Sequence, residues 1–184
     1  MRYNRRNLVH LLTFAFLSYL MISFQSVIWF KFFGNVPSPQ PWLNLILYFV
    51  LYHPPLNAIL FAYGIGLIIS AFSVAPLGIL WPTFLCICTV GYFARSRFFW
   101  PSTRYFIIAS LCFSVLYQIV FYFISSNLFE KSHNFSLFSR MVEVLFTTLL
   151  AVPQYWFVRW LDNSLLGDNG TDRSHVDISG SNIE

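Results

Sequence analysis

The sequence predicts an all-α polytopic membrane protein with about six transmembrane helices, the second and third of them a short pair. Three observations carry this. Of the 184 residues, 57% are hydrophobic and only 10% are charged, where a soluble domain carries about 25% charged residues. The mean hydropathy is +0.63. The apolar stretches recur along the chain between Pro-rich, basic or polar connectors. A spanning helix takes ~20 residues, so six would use ~120 and leave about sixty for loops and tails. That remainder holds no soluble domain, and the apolar content excludes a disordered chain.

The first segment covers roughly residues 8–30 and carries no charge if His10 is neutral. Arginines precede it as in a signal peptide, but it is longer than a signal h-region and no small-x-small cleavage site follows. Lys31 ends it. The connector Gly34-Asn35-Val36-Pro37-Ser38-Pro39-Gln40-Pro41 cannot propagate a helix. Segment two, Trp42–Tyr52, is about eleven residues and short for a span. His53-Pro54-Pro55 breaks it. Segment three runs from Leu56 to about Phe72 and holds Gly64 and Gly66, and Ser73–Gly78 forms the next turn. Segment four covers about Ile79–Ala94, with Pro82 expected in its first turn, where a missing N–H costs little. The basic loop Arg95–Arg104 leads to segment five, about Tyr105–Ser126. A polar loop then leads to segment six, about Arg140–Leu161, where Pro153 is a candidate kink. The membrane domain is expected over 1–162. The polar, acidic stretch 163–184 is expected to be a disordered cytoplasmic tail.

Charge placement gives an orientation. With six crossings and a cytoplasmic N-terminus, Arg2, Arg5, Arg6, Arg95, Arg97, Arg104, Arg159 and Arg173 lie inside, and Lys31, Lys131 and Arg140 lie outside. This obeys the positive-inside bias and puts both termini in the cytoplasm. The count is unchanged if segments two and three form a re-entrant hairpin. The arginines flank apolar segments instead of lining a polar groove, which excludes a nucleic-acid binder. All six tryptophans fall near segment ends and read as interfacial anchors. The three cysteines, Cys86, Cys88 and Cys112, sit in apolar runs and read as small hydrophobes.

Reactive groups are scarce. There is no Ser-His-Asp set, no H-E-x-x-H and no phosphate-binding glycine loop, so no catalytic, cofactor or metal residue is expected. Glu143 reads first as a residue of the first turn of segment six, complementing the helix N-terminus and pairing with Arg140. Its functional reading is a polar contact to a partner helix. His10 reads as a snorkelling side chain and His53 as a solvated turn residue. Gly66 and Ser70 form a small-x-x-x-small pair, which serves internal packing or docks another protein's helix. Asn44, Asn57, Ser110, Ser114 and Gln118 are expected to hydrogen-bond across helices.

Several short stretches resemble the rod-shape-determining MreD family. They are Pro39-Gln40-Pro41-Trp42-Leu43-Asn44-Leu45-Ile46-Leu47-Tyr48, Gly64-x-Gly66-Leu67-Ile68-Ile69-Ser70, Ala75-Pro76-Leu77-Gly78, Gly91-Tyr92-Phe93-Ala94, and a last helix with Pro153, Trp156, Arg159 and Trp160. Ser70 departs from the family, which often carries an acid there. The resemblance covers about residues 8–162. It implies a non-enzymatic inner-membrane component of the bacterial cell-elongation machinery. Such a protein binds the single-helix periplasmic coiled-coil protein MreC and, through it, connects the MreB filament with the peptidoglycan synthase. It also implies a fold like that of the substrate-binding membrane subunit of energy-coupling-factor vitamin transporters. The expected partner-binding residues are Trp42, Gly66, Ser70, Pro76, Gly78 and Glu143, and membrane lipids are the other expected partner. A vitamin-transporter subunit is the alternative function, but the Ala-x-x-x-Ala stripe it needs on helix one is missing, since Ala15 is followed by Tyr19.

Overall fold

The protein is described by a computed structural model over residues 5–34, 36–73, 76–98, 102–128 and 137–166. No strand occurs among these residues. The chain begins with α1, Arg5–Ser23. A π-helical stretch, Phe24–Trp29, continues it into the short α2, Phe30–Phe33. Gly34 then adopts φ +58°, a left-handed conformation that favours glycine and ends the helix. The Pro-rich connector folds back on this stretch. Trp29 Nε1 donates to the Val36 carbonyl (3.1 Å), and Gln25 Nε2 donates to Ser38 Oγ (3.1 Å).

Helix α3, Pro41–Tyr52, starts on a proline, whose missing N–H is an orphan there anyway. It stops because His53 precedes a proline and is held extended (φ −113°, ψ 164°). Helix α4, Pro55–Phe72, follows at once. Helices α5 (Leu77–Phe98), α6 (Thr103–Leu128) and α7 (Leu137–Leu166) complete the chain. At ~1.5 Å per residue, α3 is about 18 Å long and α7 about 45 Å.

Five helical stretches are long and apolar enough to cross a membrane: Leu11–Phe33, Pro55–Phe72, Leu77–Arg97, Thr103–Asn127 and Leu137–Leu165. Segment three, expected to be short, is one of these; only α3 is short. Segments four, five and six all extend beyond their expected ends. Pro82 is therefore the sixth residue of α5 and lies inside it. The helix begins earlier because the Pro76 carbonyl accepts from the Ile79 and Leu80 amides (3.0 and 3.3 Å). At the other end of the chain, α7 runs four residues past the expected domain boundary, and Leu165 packs on the core. The rest of the expected tail, 167–184, lies outside the described residues.

The long helices close a ring in the order α1, α4, α5, α6, α7 and back to α1, and α3 stands inside it in contact with all five. Every residue from Trp42 to Leu51 is buried. The sequence of α3 is apolar apart from Asn44 and its tyrosine hydroxyls, and Asn44 is a group that lipid would leave unpaired, so enclosure by protein suits it. Each ring helix meets α3 with an aromatic side chain. Phe14 of α1 packs edge-on against Phe49 (5.1 Å), and Phe61 of α4 stacks on Phe49 at 3.9 Å. Phe84 of α5 and Tyr117 of α6 both pack against Trp42 (5.5 and 5.2 Å) and touch each other, and Tyr155 of α7 lies 6.3 Å from Tyr52. Trp42 is thus 4% exposed, a core residue and not an interfacial anchor.

Contacts fix the helix directions. The end of α1 and the starts of α3 and α7 share one end of the bundle, through Trp29–Phe146 and Gln40–Glu143. The ends of α3, α5 and α7 share the other, through Arg95–His53 and His53–Asp162. Arg95, Arg97, Arg104 and Arg159 gather at this second end and Lys31 and Arg140 stand at the first, so the basic charge is weighted to one end.

Candidate functional site

Helix α3 carries Gln40, Asn44, Tyr48 and Tyr52 at four-residue spacing. That spacing puts all four on one face. The face turns to α7 and forms a polar ladder along the bundle axis. At its first rung the Gln40 backbone N–H donates to Thr147 Oγ1 (2.9 Å), and the Gln40 side-chain amide donates to Glu143 Oε1. Arg140 Nη1 donates to the other oxygen of Glu143 (3.0 Å). Glu143 is the seventh residue of α7, not a first-turn residue, because the helix starts at Leu137. Its pairing with Arg140 agrees with the sequence reading. Gln40 is a second partner that a local reading does not reveal.

The second rung joins three helices. Asn44 Nδ2 donates to the Thr147 carbonyl (3.0 Å) and to Gln154 Oε1 (3.1 Å). Ser110 Oγ of α6 donates to Asn44 Oδ1 (2.6 Å). Gln154 Nε2 donates in turn to the Pro41 carbonyl (2.7 Å). These groups are buried, where an unpaired amide would cost several kcal/mol against lipid. The expected cross-helix bonding of Asn44 and Ser110 is therefore present.

The third rung lies at the basic end. Tyr48 OH donates to Asp162 Oδ2 (2.8 Å), and His53 Nε2 lies 3.7 Å from the same oxygen. The Tyr52 and Tyr155 hydroxyls share a bond (3.3 Å), and Arg159 Nη1 reaches Tyr155 OH (3.4 Å). One expectation changes here. His53 is 8% exposed and its ring stacks on Phe49 at 4.5 Å, so it is not a solvated turn residue. Asp162, the last residue of the expected membrane domain, is 4% exposed and belongs to the bundle. The last residues of α7 supply the reason, since they keep the carboxylate facing α3. Arg95 of α5 closes this end. Its Nη1 donates to the carbonyls of Val50 (3.3 Å) and His53 (2.6 Å). Both belong to the last turn of α3, whose carbonyls lack helical partners.

The six expected partner-binding residues separate into two sets. Trp42 lies in the core, as above. Gly66 faces Trp81 of α5, and a Cβ there would meet Trp81 Cδ1 at 2.9 Å, so its small size serves internal packing. Glu143 is engaged by Gln40 and Arg140. Ser70, Pro76 and Gly78 instead stand at the α4–α5 end. Pro76 and Gly78 are exposed, and Ser70 Oγ donates only to the Leu67 carbonyl (2.9 Å). A Cβ at Gly78 would meet nothing within 4 Å, so the close packing expected at that turn is not found. Close packing occurs instead at Gly91, where a Cβ would lie 2.6 Å from Val50 and 2.7 Å from Phe113. Gly91 is the point at which α5 passes between α3 and α6.

The ladder ties α3 to α6 and α7. Its His53–Asp162 pair is shared with Tyr48 and buried. Among the described residues, no three His, Cys, Asp or Glu side chains come together to hold a metal. Cys86 and Cys112 are exposed on the apolar flank and Cys88 is buried, all as free thiols. The side chain of His10 lies outside the described residues. No protein-family model, curated protein or solved structure matches this chain.

Proposed function

We propose that the chain is a non-enzymatic scaffold of the MreD kind in the inner membrane of a bacterium. In this reading it binds MreC and links the MreB cytoskeleton to the peptidoglycan synthase during cell elongation. All six segments cross the membrane, the short α3 included, sheltered from lipid by the ring around it. Both termini are cytoplasmic.

The observation that carries the reading is the fate of the polar side chains. Those on α3 and α7 are spent on bonds between the chain's own helices, as at Asn44, Gln154 and Tyr48. What faces outward is apolar: Leu12, Phe16, Ile108, Ile119, Phe123, Leu145 and Leu149 are all exposed. A rigid bundle with apolar flanks suits binding of lipid and of a partner's transmembrane helix. Ser70, Pro76 and Gly78 are the partner-binding residues this reading retains. They stand at the end opposite Arg95, which the positive-inside bias makes periplasmic, the side on which a coiled-coil partner of this kind lies.

The test is affinity purification of the tagged full-length protein from native membranes, with mass spectrometry of proteins and small molecules. Wild type is expected to recover a single-pass periplasmic coiled-coil protein and a cell-wall synthase. Gly78→Trp, at a position with open space around it, is expected to lose both while the protein itself stays monodisperse. Recovery of an ATPase module with a bound vitamin would overturn the reading.

A further inference from the structure

A groove of about 260 Å³ opens on the outer flank of the bundle between α4 and α5. Its floor is Val50 of α3 and Ala58 of α4, and its walls include Ile59, Leu85, Thr89 and Phe93. The Thr89 hydroxyl donates to the Leu85 carbonyl (2.8 Å), so this side chain offers the groove its methyl group, and Tyr92 adds a ring to the same wall. Leu85, Thr89 and Phe93 follow one another at four-residue spacing on α5. The groove therefore runs along the helix axis for about 12 Å, at ~1.5 Å per residue. In a spanning helix that is the direction in which acyl chains lie.

The groove has one charged rim. Arg97 is exposed one turn beyond Phe93, with its guanidinium 5.6 Å from the centre of that ring. Arg95 beside it is drawn inward to the carbonyls of α3. The volume is below the ~300–1,000 Å³ of sites for compact small molecules. An α-helix, ~10–12 Å across, could insert no more than a side chain. A narrow apolar slot with a cation at one mouth complements an amphiphile with an anionic head.

We propose that this groove seats one acyl chain of an anionic phospholipid whose headgroup lies against Arg97. The inference rests on membrane embedding and not on the cell-elongation reading, so either can fail alone. The experiment uses the full chain in nanodiscs of mixed phosphatidylethanolamine and phosphatidylglycerol, followed by native mass spectrometry. Wild type is expected to retain phosphatidylglycerol. Ile59→Trp, at a position 42% exposed, fills the groove from outside and is expected to abolish retention without disturbing the core. Arg97→Gln is expected to lower it about fivefold, the effect of one arginine near an anionic surface. Arg104→Gln removes a cation that does not line the groove and is expected to leave retention unchanged. Equal retention of phosphatidylethanolamine, an equal loss in Arg104→Gln, or undiminished retention in a folded Ile59→Trp would each overturn the proposal. So would recovery of the native protein with another protein's helix cross-linked into the groove in place of lipid.

Discussion

Replacing Asn44 with Leu tests whether the polar ladder holds the bundle together. The substitution keeps the number and branching of the side-chain heavy atoms but removes three bonds, to the Thr147 carbonyl, Gln154 Oε1 and Ser110 Oγ. Cross-helix hydrogen bonds in membrane proteins average about 0.6 kcal/mol each, with a maximum of about 1.7. Three bonds then total about 2 kcal/mol. The Thr147 carbonyl keeps its place in α7, and Gln154 stays tied to the Pro41 carbonyl, so full orphaning penalties do not add for every partner. The assay is reversible unfolding of the purified protein in mixed micelles, followed by tryptophan fluorescence. The Ser110→Ala variant and the double variant complete the cycle, with a coupling of about 0.6–1.7 kcal/mol expected for the shared bond. A stability of Asn44→Leu within about 0.5 kcal/mol of wild type, or above it, would refute the argument. It would mean that lipid-like packing serves α3 as well as its polar partners do, as happens for some buried polar clusters.

The other predictions use the same assay. Gly91→Ala is expected to destabilise, because overpacking costs about 1–3 kcal/mol and outweighs the helix-propensity gain of up to about 1 kcal/mol. Gly64→Ala has nothing within 4 Å and is expected to be neutral or slightly stabilising, so the same fall in both variants would contradict the packing argument. Arg95→Met leaves the Val50 and His53 carbonyls without their cap and is expected to cost about 1.5–3 kcal/mol. Hydrogen exchange should rise at the end of α3 and the start of α4, and a uniform rise throughout the chain would count against a local cap. A stop after Leu166 should leave a monodisperse bundle. A stop after Leu161 removes the Tyr48 acceptor and the Leu165 contact, and is expected to lower stability measurably.

Much of the fold was legible in the sequence. The order of the apolar segments and their breaks at Pro37–Pro41 and His53–Pro55 carry over to the helices observed. The closed ring was not read, although one signal for it was present. Trp42–Tyr52 is apolar apart from Asn44 and its tyrosine hydroxyls, a composition that suits a helix enclosed by protein. Its shortness suggested an incomplete span instead. The four-residue spacing of Gln40, Asn44, Tyr48 and Tyr52 was equally visible, yet their partners on α7 lie more than a hundred residues away, beyond any local pattern. Asn163 and Ser164 were assigned by composition to a tail, whereas α7 continues through them to Leu166. Position alone also misplaced Trp42. A tryptophan at a helix end anchors at an interface only if that end reaches lipid, and the ring denies α3 any lipid contact. Glycine spacing pointed to Gly66 and Gly78, whereas the tightest approach is at Gly91. Which neighbour a glycine faces depends on the crossing of α3, α5 and α6, and one sequence does not encode that crossing in a short motif.

The enclosure of α3 also sets an order of events during synthesis. Gln40 waits for Glu143, 103 residues later, and Tyr48 for Asp162, 114 residues later. At ~5–20 residues per second, the interval is roughly 5–20 s. Throughout it the central helix has left the ribosome, but the wall carrying its polar partners has not been made. A helix of 12 residues with an asparagine in its first turn is a poor candidate to remain in lipid alone for that time. The nascent protein therefore depends on something to hold α3 until α7 arrives, either α1 and α4 packed as a half-shell or the insertion machinery itself. The last helix acts as the door of the assembly, and its closing completes the fold.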